Sequence, residues 1–362
     1  MYSLKRWSLF FIALLFIGQG CVSLGGSNNA KTSGPAGVFI SVDKGEAWTH
    51  LTSLPEADGI KNIGTVSVYK LFDDPQDPNT MYLATRGQGL FYTYDNGKTW
   101  QRPNNTVLQN AFIYGVAVHP KDKCTIFVSN GNQVFRSNDC SRSWEEVYRE
   151  SRAGVSVASI AFEQFSPNRL YMLENNGDVL QSLDGGQSWS VIKRLDGTPV
   201  HIETNKLEEN TLYVTTRDEG IYRSKDAGAN WTQIKDQFNK FNDAQEYRGF
   251  VMHPSKRGVL FWLSTYGILY SLDSGDTWQN ITLITPPGSV NIYAFAVNPK
   301  NDQEMFYTAT LKDLTRSTFY KSIDGGKNWT TKKLPSGQVP IILRPHLTAD
   351  YIYLGFAVPP QK

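Results

Sequence analysis

Three stretches of this sequence share one pattern: YTYDNGKTW at 92–100, QSLDGGQSW at 181–189 and YKSIDGGKNW at 320–329. In each stretch a Ser or Thr is followed two residues later by Asp, four later by Gly and seven later by Trp. This box, Ser/Thr-x-Asp-x-Gly-x-x-Trp, recurs seven times along the chain at spacings of 42 to 52 residues. Seven of the nine tryptophans occupy its last position. A period of this length indicates a propeller or a solenoid.

Each part of the box suits a tight turn between two strands. The aspartate can accept backbone N–H bonds, the glycine can adopt a positive φ, and the tryptophan can begin the next strand. In the third box Ser141 stands where glycine is expected, and a strained or altered turn is predicted there. The box carboxylates are therefore interpreted as structural and not catalytic: Asp43, Asp95, Asp139, Asp184, Asp226, Asp273 and Asp324.

Apolar alternation around each box predicts four strands per unit, as at 66–72, 80–86, 89–95 and 98–103. Aromatic residues at 13%, with 30 Gly and 17 Pro, fit short strands joined by turns. The sequence after residue 36 begins with the last two strands of a unit, and 339–346 and 351–358 supply the first two. We therefore predict an all-β, seven-bladed β-propeller over 37–362, with four-stranded blades and one blade shared by the two ends of the chain.

The N-terminal sequence has the features of a secretory signal peptide at 1–20. Lys5 and Arg6 precede an apolar run at 9–17 that is too short to span a bilayer as a helix. Cys21 after Gly20 resembles the lipidation site of bacterial lipoproteins, and 21–36 would then be a flexible tether. An ordinary signal peptide with an incidental cysteine is the alternative. The expected location is extracytoplasmic and membrane-anchored.

The charge balance and the cysteine content lead to two further predictions, one about nucleic-acid binding and one about a disulfide. Without residues 1–20 the cations and acids are equal in number, so no nucleic-acid partner is expected. Cys124 and Cys140 flank a predicted hairpin that would place them opposite each other. A disulfide is favoured in an exported chain over two free thiols.

The boxes resemble those of the BNR/Asp-box propellers, which include sortilin-type receptors, xyloglucanases, sialidases and photosystem II assembly factors. The resemblance covers nearly all of 37–359 and implies the fold much more strongly than a function, because the activities of these families differ. A lipid-anchored single ring is similar to the assembly factors, whereas the turns at 75–95 look closer to the sortilin and xyloglucanase type.

No catalytic constellation is found in the sequence. The Arg-Ile-Pro of sialidases does not occur in the sequence. Xyloglucanases of this type resemble two such propellers in tandem, whereas this sequence predicts one. The five histidines lack metal-ligand spacing, and His119 and His253 occupy equivalent strand ends, which favours a repeat role. Phosphate loops and Gly-x-Ser-x-Gly elbows are missing as well. Neither a metal nor a cofactor is expected.

The remaining candidate is the face opposite the boxes, called here the loop face, where the turns after strand B gather around the channel. Long insertions at 52–64, 235–248 and 311–317 are expected on the same side. The predicted role is non-enzymatic recognition or assembly by a monomer that binds a protein or peptide; a glycan-binding or glycoside hydrolase-like propeller is the alternative. The candidate ligand-binding residues are Arg86, Arg217, Tyr247, Arg248, Tyr266 and Arg316.

Overall fold

The computed structural model describes residues 32–359, which form eight antiparallel sheets, and seven of these are arranged as the blades of a propeller. The predicted signal peptide at 1–20 and the predicted lipidation site Cys21 lie outside the described residues, as does most of the predicted tether. Within 32–359 no helix is long and apolar enough to cross a membrane. The predicted all-β fold is confirmed.

Blades are numbered by the order of their boxes, and strands A to D run from the channel outward. Blade 1 combines strands from both ends of the chain, and blade 2 has three full strands. In order A to D, the strands are, for blade 1, Val339–Pro345, Ile352–Ala357, Gly37–Ser41 and Thr49–Leu51; for blade 2, Val68–Asp73, Met81–Thr85 and Leu90–Thr93; for blade 3, Gly115–His119, Asp122–Ser129, Gln133–Ser137 and Glu145–Arg149; for blade 4, Val157–Phe162, Leu170–Glu174, Asp178–Ser182 and Ser190–Arg194; for blade 5, Pro199–Thr204, Leu212–Thr216, Ile221–Ser224 and Thr232–Ile234; for blade 6, Tyr247–Met252, Leu260–Ser264, Ile268–Ser271 and Gln279–Asn280; and for blade 7, Val290–Asn298, Asn301–Leu311, Ser317–Ser322 and Thr330–Lys332.

The shared blade closes the ring. Gly37 pairs with Phe356 and Ser41 with Ile352, so the first strand of the propeller lies antiparallel to the last. Buried apolar side chains form seven clusters, and each cluster joins two neighbouring blades. Because the cluster between blades 7 and 1 is as apolar as the others, the closing contact is an ordinary blade interface.

The boxes form the turns that the sequence predicts. In blade 4 the Ser182 hydroxyl donates to Asp184 Oδ1 at 2.7 Å and accepts the Gly186 N–H at 2.8 Å. Asp184 also accepts the Ser188 N–H at 2.9 Å and its hydroxyl at 2.6 Å, and these bonds hold the pKa of the carboxyl well below its usual range. Each box therefore closes its own turn with local hydrogen bonds.

Ser141 accommodates the box at a conformational cost. Its φ of 67° lies in the left-handed region that favours glycine, as predicted, but the hydrogen bonds of the turn are retained. Ser141 donates its N–H to the Ser137 hydroxyl at 2.9 Å, and Asp139 accepts the Ser143 N–H at 2.8 Å. The backbone is strained, while the pattern of bonds is unaltered.

Blade 2 departs from the predicted four strands. The predicted strand 98–103 is reduced to one bridge between Tyr92 and Gln101. Pro103 explains the difference, because Tyr92 and Gln101 exchange both backbone bonds and residue 103 would have to donate the next one, and proline has no N–H. The insertion at 52–64 forms a hairpin, Ser53–Glu56 and Gly59–Asn62, and lies along the outer edge of blade 2, where the Trp100 N–H donates to the Ser53 carbonyl at 2.8 Å.

Two short helices complete the secondary structure of the described chain: an α-helix at Thr106–Gln109 and a 3₁₀ helix at Asp236–Lys240. The second belongs to the 235–248 insertion. Phe238 at its centre is fully buried and stacks on Trp262 of blade 6 with ring centroids 4.7 Å apart. This part of the insertion is thus packed onto the blade.

The turns between strands A and B share a side-chain cap that extends the repeat beyond the boxes. At each A-strand end one side chain accepts the backbone N–H two residues later, at 2.8 to 3.5 Å. The capping side chain is an Asp, Glu, Asn or His, depending on the blade. The seven capping residues are Asp74, His119, Glu163, Asn205, His253, Asn298 and His346. This is the repeat role expected of His119 and His253.

The hairpin of blade 3 brings Cys124 and Cys140 together. The Cys140 N–H donates to the Cys124 carbonyl at 3.2 Å, the Cα atoms are 3.9 Å apart, and the two sulfur atoms are bonded in the structure.

Candidate binding site at the channel mouth

Arg86 and Arg217 are presented by the same local structure in blades 2 and 5. Each follows a strand-B threonine whose hydroxyl donates to a glycine carbonyl four residues later: Thr85 to Gly89 at 2.6 Å, and Thr216 to Gly220 at 3.0 Å. The bond closes the turn between strands B and C and leaves the next side chain outside it. Both arginines are exposed at the loop face.

Aromatic rings form a wall beside Arg86. Its guanidinium lies 5.9 Å from the centroid of Tyr69, which is within cation–π range. Phe112 contacts Tyr69 edge-on at 4.9 Å and stacks on Tyr114 at 4.4 Å. The three rings are half-buried, so they offer apolar surface next to a cation.

The charge of Arg217 acts on the same aromatic group from the other side of the ring. Burial raises the pKa of the Tyr69 hydroxyl, and the charges of Arg86 and Arg217 both oppose that rise. Burial likewise raises the pKa of Tyr247, and the charge of Arg217 opposes that rise. Tyr247 is a half-buried residue of blade 6, and its ring centroid lies 5.2 Å from that of Trp262. The structure thus brings Arg86, Arg217 and Tyr247 around one channel mouth.

Lys70 forms the floor of this mouth by reaching across the channel. It lies on the innermost strand of blade 2, yet its Nζ is 2.5 Å from His201 Nε2 and 3.8 Å from Glu203 Oε1 on the innermost strand of blade 5. Two blades separate them one way around the ring and three the other way, so the contact spans the axis. The Lys70 side chain is 31% exposed, which leaves it reachable from the channel.

The floor is an ordered ionic network. His201 Nε2 is 3.0 Å from Glu203 Oε1, and its Nδ1 is 2.7 Å from the buried Ser159 hydroxyl. Burial and the nearby Lys70 charge lower the pKa of His201, which favours its neutral form. Burial alone would raise the pKa of Glu203, but its contact with His201 and the neighbouring positive charge hold it at about 2. Glu203 is therefore ionised and lies across the channel from Lys70, whose own pKa is lowered by burial.

Blade 4 carries acid where blades 2 and 5 carry the turn threonines Thr85 and Thr216, and Asn175 holds the position of the arginines. Glu174, at the end of its strand B, is fully buried and pairs with Arg152, which also bonds Glu150 and Asp178. Arg194 adds a second cation to Asp178 at 2.6 Å. Burial raises the pKa of Glu174, whereas its arginine partners lower that of Asp178 to about 2. These acids are neutralised within the protein.

The other three candidate residues lie outside the group that Arg86, Arg217 and Tyr247 form. Arg248 is held beside blade 7 by Glu246 at 3.2 Å and by Asn291 at 3.4 Å. Tyr266 is half-buried and packs edge-on against Phe241 of the 235–248 insertion at 5.3 Å. Arg316 is exposed and lines a separate groove near Ser33 and Lys332.

Sequence reasoning missed the aromatic wall and the channel floor. Four of these residues lie on innermost strands, where the alternation of apolar residues predicts core: Tyr69, Lys70, His201 and Glu203. Phe112 and Tyr114 lie in a connecting loop. Polar residues at His201 and Glu203, two positions apart in 199–204, were the available signal, since alternate residues of a strand face one side. Among residues 32–359 no group of three or more His, Cys, Asp or Glu is placed to hold a metal.

Comparison with known proteins gives one family and two kinds of relative. The family model described as sortilin, neurotensin receptor 3 (Sortilin-Vps10), matches residues 36–133, 177–267 and 219–339. Photosystem II assembly protein Ycf48 of Thermosynechococcus vestitus is 25% identical over 169 residues, which cover 46% of this chain and 44% of that protein. The aligned part thus spans less than half the length of this curated relative.

Among solved structures, a GH74 xyloglucanase from Xanthomonas campestris superposes with a TM-score of 0.63 and 16% identity, over 81% of this chain and 51% of that one. YCF48 bound to D1 peptide superposes with a TM-score of 0.60 and 14% identity, over 82% of this chain and 94% of that one. At these identities the likeness concerns the fold alone.

Proposed function

The chain belongs to the Sortilin-Vps10 family, and from that premise we propose that it is a non-enzymatic recognition or assembly protein that binds a protein or peptide segment at the channel mouth of its loop face. One relative with this fold is a photosystem II assembly protein, and another structure of the fold holds a peptide. These relatives support binding as the role of the ring.

The observation that carries the proposal is the convergence of Arg86, Arg217, Tyr69 and Tyr247 above the Lys70 floor. Arginine and tyrosine dominate the energetics of protein interfaces because each combines a large contact area with directed hydrogen bonds. The turns that present both arginines are closed by their own bonds, so little backbone ordering would accompany binding. A segment carrying a carboxylate and an aromatic or aliphatic side chain fits this surface best.

Glycoside hydrolysis is the competing role, favoured by the likeness to the xyloglucanase. Such an enzyme uses one carboxyl group as a general acid and a second as base or nucleophile. Glu203, with a pKa of about 2 and a lysine partner, is ionised at neutral pH, and Glu174 is fully buried beneath Arg152. Neither geometry suits an acid that must reach a glycosidic oxygen, which favours binding over hydrolysis.

The test is selection of binding peptides from a random library with the wild-type protein. Loss of a charged contact at a recognition surface can weaken binding by about tenfold or more, so Arg86→Ala and Arg217→Ala should each lose that much affinity for the selected peptide. Arg257→Ala, an exposed arginine on the opposite face, is the matched control and should bind normally. Unchanged affinity in both loop-face variants, or cleavage of xyloglucan by the wild-type protein, would contradict the proposal.

We also propose that the protein is exported and anchored by a lipid on Cys21, which rests on the 1–21 sequence alone. The mature protein should then carry Cys21 as its first residue with an added lipid mass. Cys21→Ser should release a soluble protein of unchanged peptide affinity. An intact N-terminus, or cleavage elsewhere without lipid, would contradict the anchor and leave the peptide test unaffected.

A further inference from the structure

One cavity lies between blades 6 and 7 on the face that carries the boxes, away from the channel mouth. Its volume is about 630 Å³, within the usual range for small-molecule sites. Phe261, Ile281 and Met305 give it an apolar lining, and Phe261 is only 2% exposed. The polar groups come from the A–B turns of the two blades and from the box of blade 7.

His253 supplies a donor to this cavity. Its side chain caps the A–B turn, and Nδ1 accepts the N–H groups of Ser255 and Lys256 at 3.2 and 3.1 Å. A nitrogen that accepts two bonds carries no proton, so the hydrogen of the neutral ring is on Nε2. His253 is 5% exposed and lines the cavity, and Nε2 has no protein acceptor within the described residues. The ring therefore offers an unpaired N–H.

The charged groups that line the cavity are two lysines, Lys256 and Lys327, and two aspartates, Asp302 and Asp324. Lys256 is paired with Asp302, and the Asp324 carboxylate is occupied by the bonds of its own box. Lys327 is exposed and forms no ion pair within residues 32–359. A free ammonium and a free imidazole N–H thus border one apolar cavity.

We propose that this cavity is a second binding site, for a small apolar carboxylate. The carboxylate accepts from His253 Nε2 and pairs with Lys327, and the apolar body lies on Phe261, Ile281 and Met305. An uncharged apolar molecule would leave the His253 donor unpaired, which costs binding free energy in a partly desolvated site. The site is independent of the peptide surface at the channel mouth.

The repeat itself provides a matched variant. Asn205 and Asn298 hold the position of His253 in blades 5 and 7, and each caps its turn with Oδ1 at 2.9 Å. His253→Asn should therefore keep the cap while removing the Nε2 donor. His119→Asn makes the same change in blade 3, away from the cavity, and Lys327→Met removes the free cation.

The experiment is calorimetric titration of the mature protein with 4-phenylbutyrate and with its amide, 4-phenylbutyramide. The carboxylate should bind at one site, and the amide about tenfold more weakly, as expected for loss of a charged hydrogen bond. His253→Asn and Lys327→Met should each weaken the carboxylate by about five- to tenfold. His119→Asn should leave its affinity unchanged.

Equal affinity for acid and amide, no saturable binding, or full affinity in both cavity variants would overturn the proposal. Circular dichroism melts of the three variants establish that each is folded. If His253→Asn proves unstable, the comparison of Lys327→Met with wild type still decides the matter, because that side chain is exposed and outside the turn cap.

Discussion

Replacing Gly186 by alanine should destabilise the propeller for two separable reasons. Gly186, in the box of blade 4, has a φ of 86°, where an L-residue costs about 1–2 kcal/mol. An added Cβ would also lie 2.6 Å from Phe127 Cε1 of blade 3, and overpacking of this kind costs about 1–3 kcal/mol. The expected loss in the free energy of unfolding is therefore about 2–5 kcal/mol.

The preceding glycine provides the control for the first reason. Gly185 also has a positive φ, 71°, but a Cβ there would meet nothing within 4 Å. The same box position holds Lys44, Asn96, Cys140, Ala227 and Ser274 elsewhere, all at φ near 60°. Gly185→Ala should therefore cost no more than about 1–2 kcal/mol.

Urea denaturation of the two variants measures the difference directly. Phe127→Leu removes the ring atoms that a Cβ at Gly186 would meet, so combining it with Gly186→Ala should cost less than the sum of the single changes. Equal stability of Gly185→Ala and Gly186→Ala, or additive costs in the double variant, would refute close blade-to-blade approach as the reason for the box glycine.

Three further outcomes follow from ring closure, the blade 3 hairpin and the channel floor. Removal of residues 338–362 takes both inner strands of blade 1 and should lower the melting temperature or cause association through exposed sheet edges; a monomer as stable as the parent would count against the shared blade. Non-reduced peptide mapping of exported protein should find Cys124 linked to Cys140, and two alkylatable thiols would refute it. Glu203, with its pKa lowered to about 2, stabilises the fold above the pKa of an unfolded glutamate, about 4.3, and that contribution is lost as pH falls towards 2. The stability of Glu203→Gln should therefore depend less on pH across this window, and parallel acid titrations of the two proteins would contradict the assignment.

The fold was predictable because the box encodes its own turn. Ser182, Asp184 and Gly186 bond to one another within seven residues, so the pattern reports local structure directly, and its seven occurrences determine the number of blades. The place of the 53–62 hairpin against blade 2 was not predictable. It depends on a backbone bond between Trp100 and Ser53, which are far apart in the sequence and leave no periodic signal.

The candidate site was predictable only in part for the same reason. Arg86 and Arg217 could be found because each follows a strand-B threonine in a local Thr-Arg-x-x-Gly turn. Lys70 could not, because its partners His201 and Glu203 are more than 130 residues away and become neighbours only when the ring closes. Tyr266 lies one residue beyond Thr265, which holds the repeat position of the arginines, and its packing against Phe241 depends on the 235–248 insertion, which the other blades lack.

The central claim assigns a structural role to the box aspartates and peptide recognition to the loop face, and one paired measurement on four variants tests it most directly. Melting temperature and affinity for the library-selected peptide are measured for Asp184→Ala, Asp273→Ala, Arg86→Ala and Arg217→Ala. The aspartate variants lose turn acceptors and should melt lower with unchanged affinity, whereas the arginine variants should melt normally and bind at least about tenfold more weakly. Normal binding by the arginine variants together with lost binding by folded aspartate variants would place recognition on the opposite face and contradict the account.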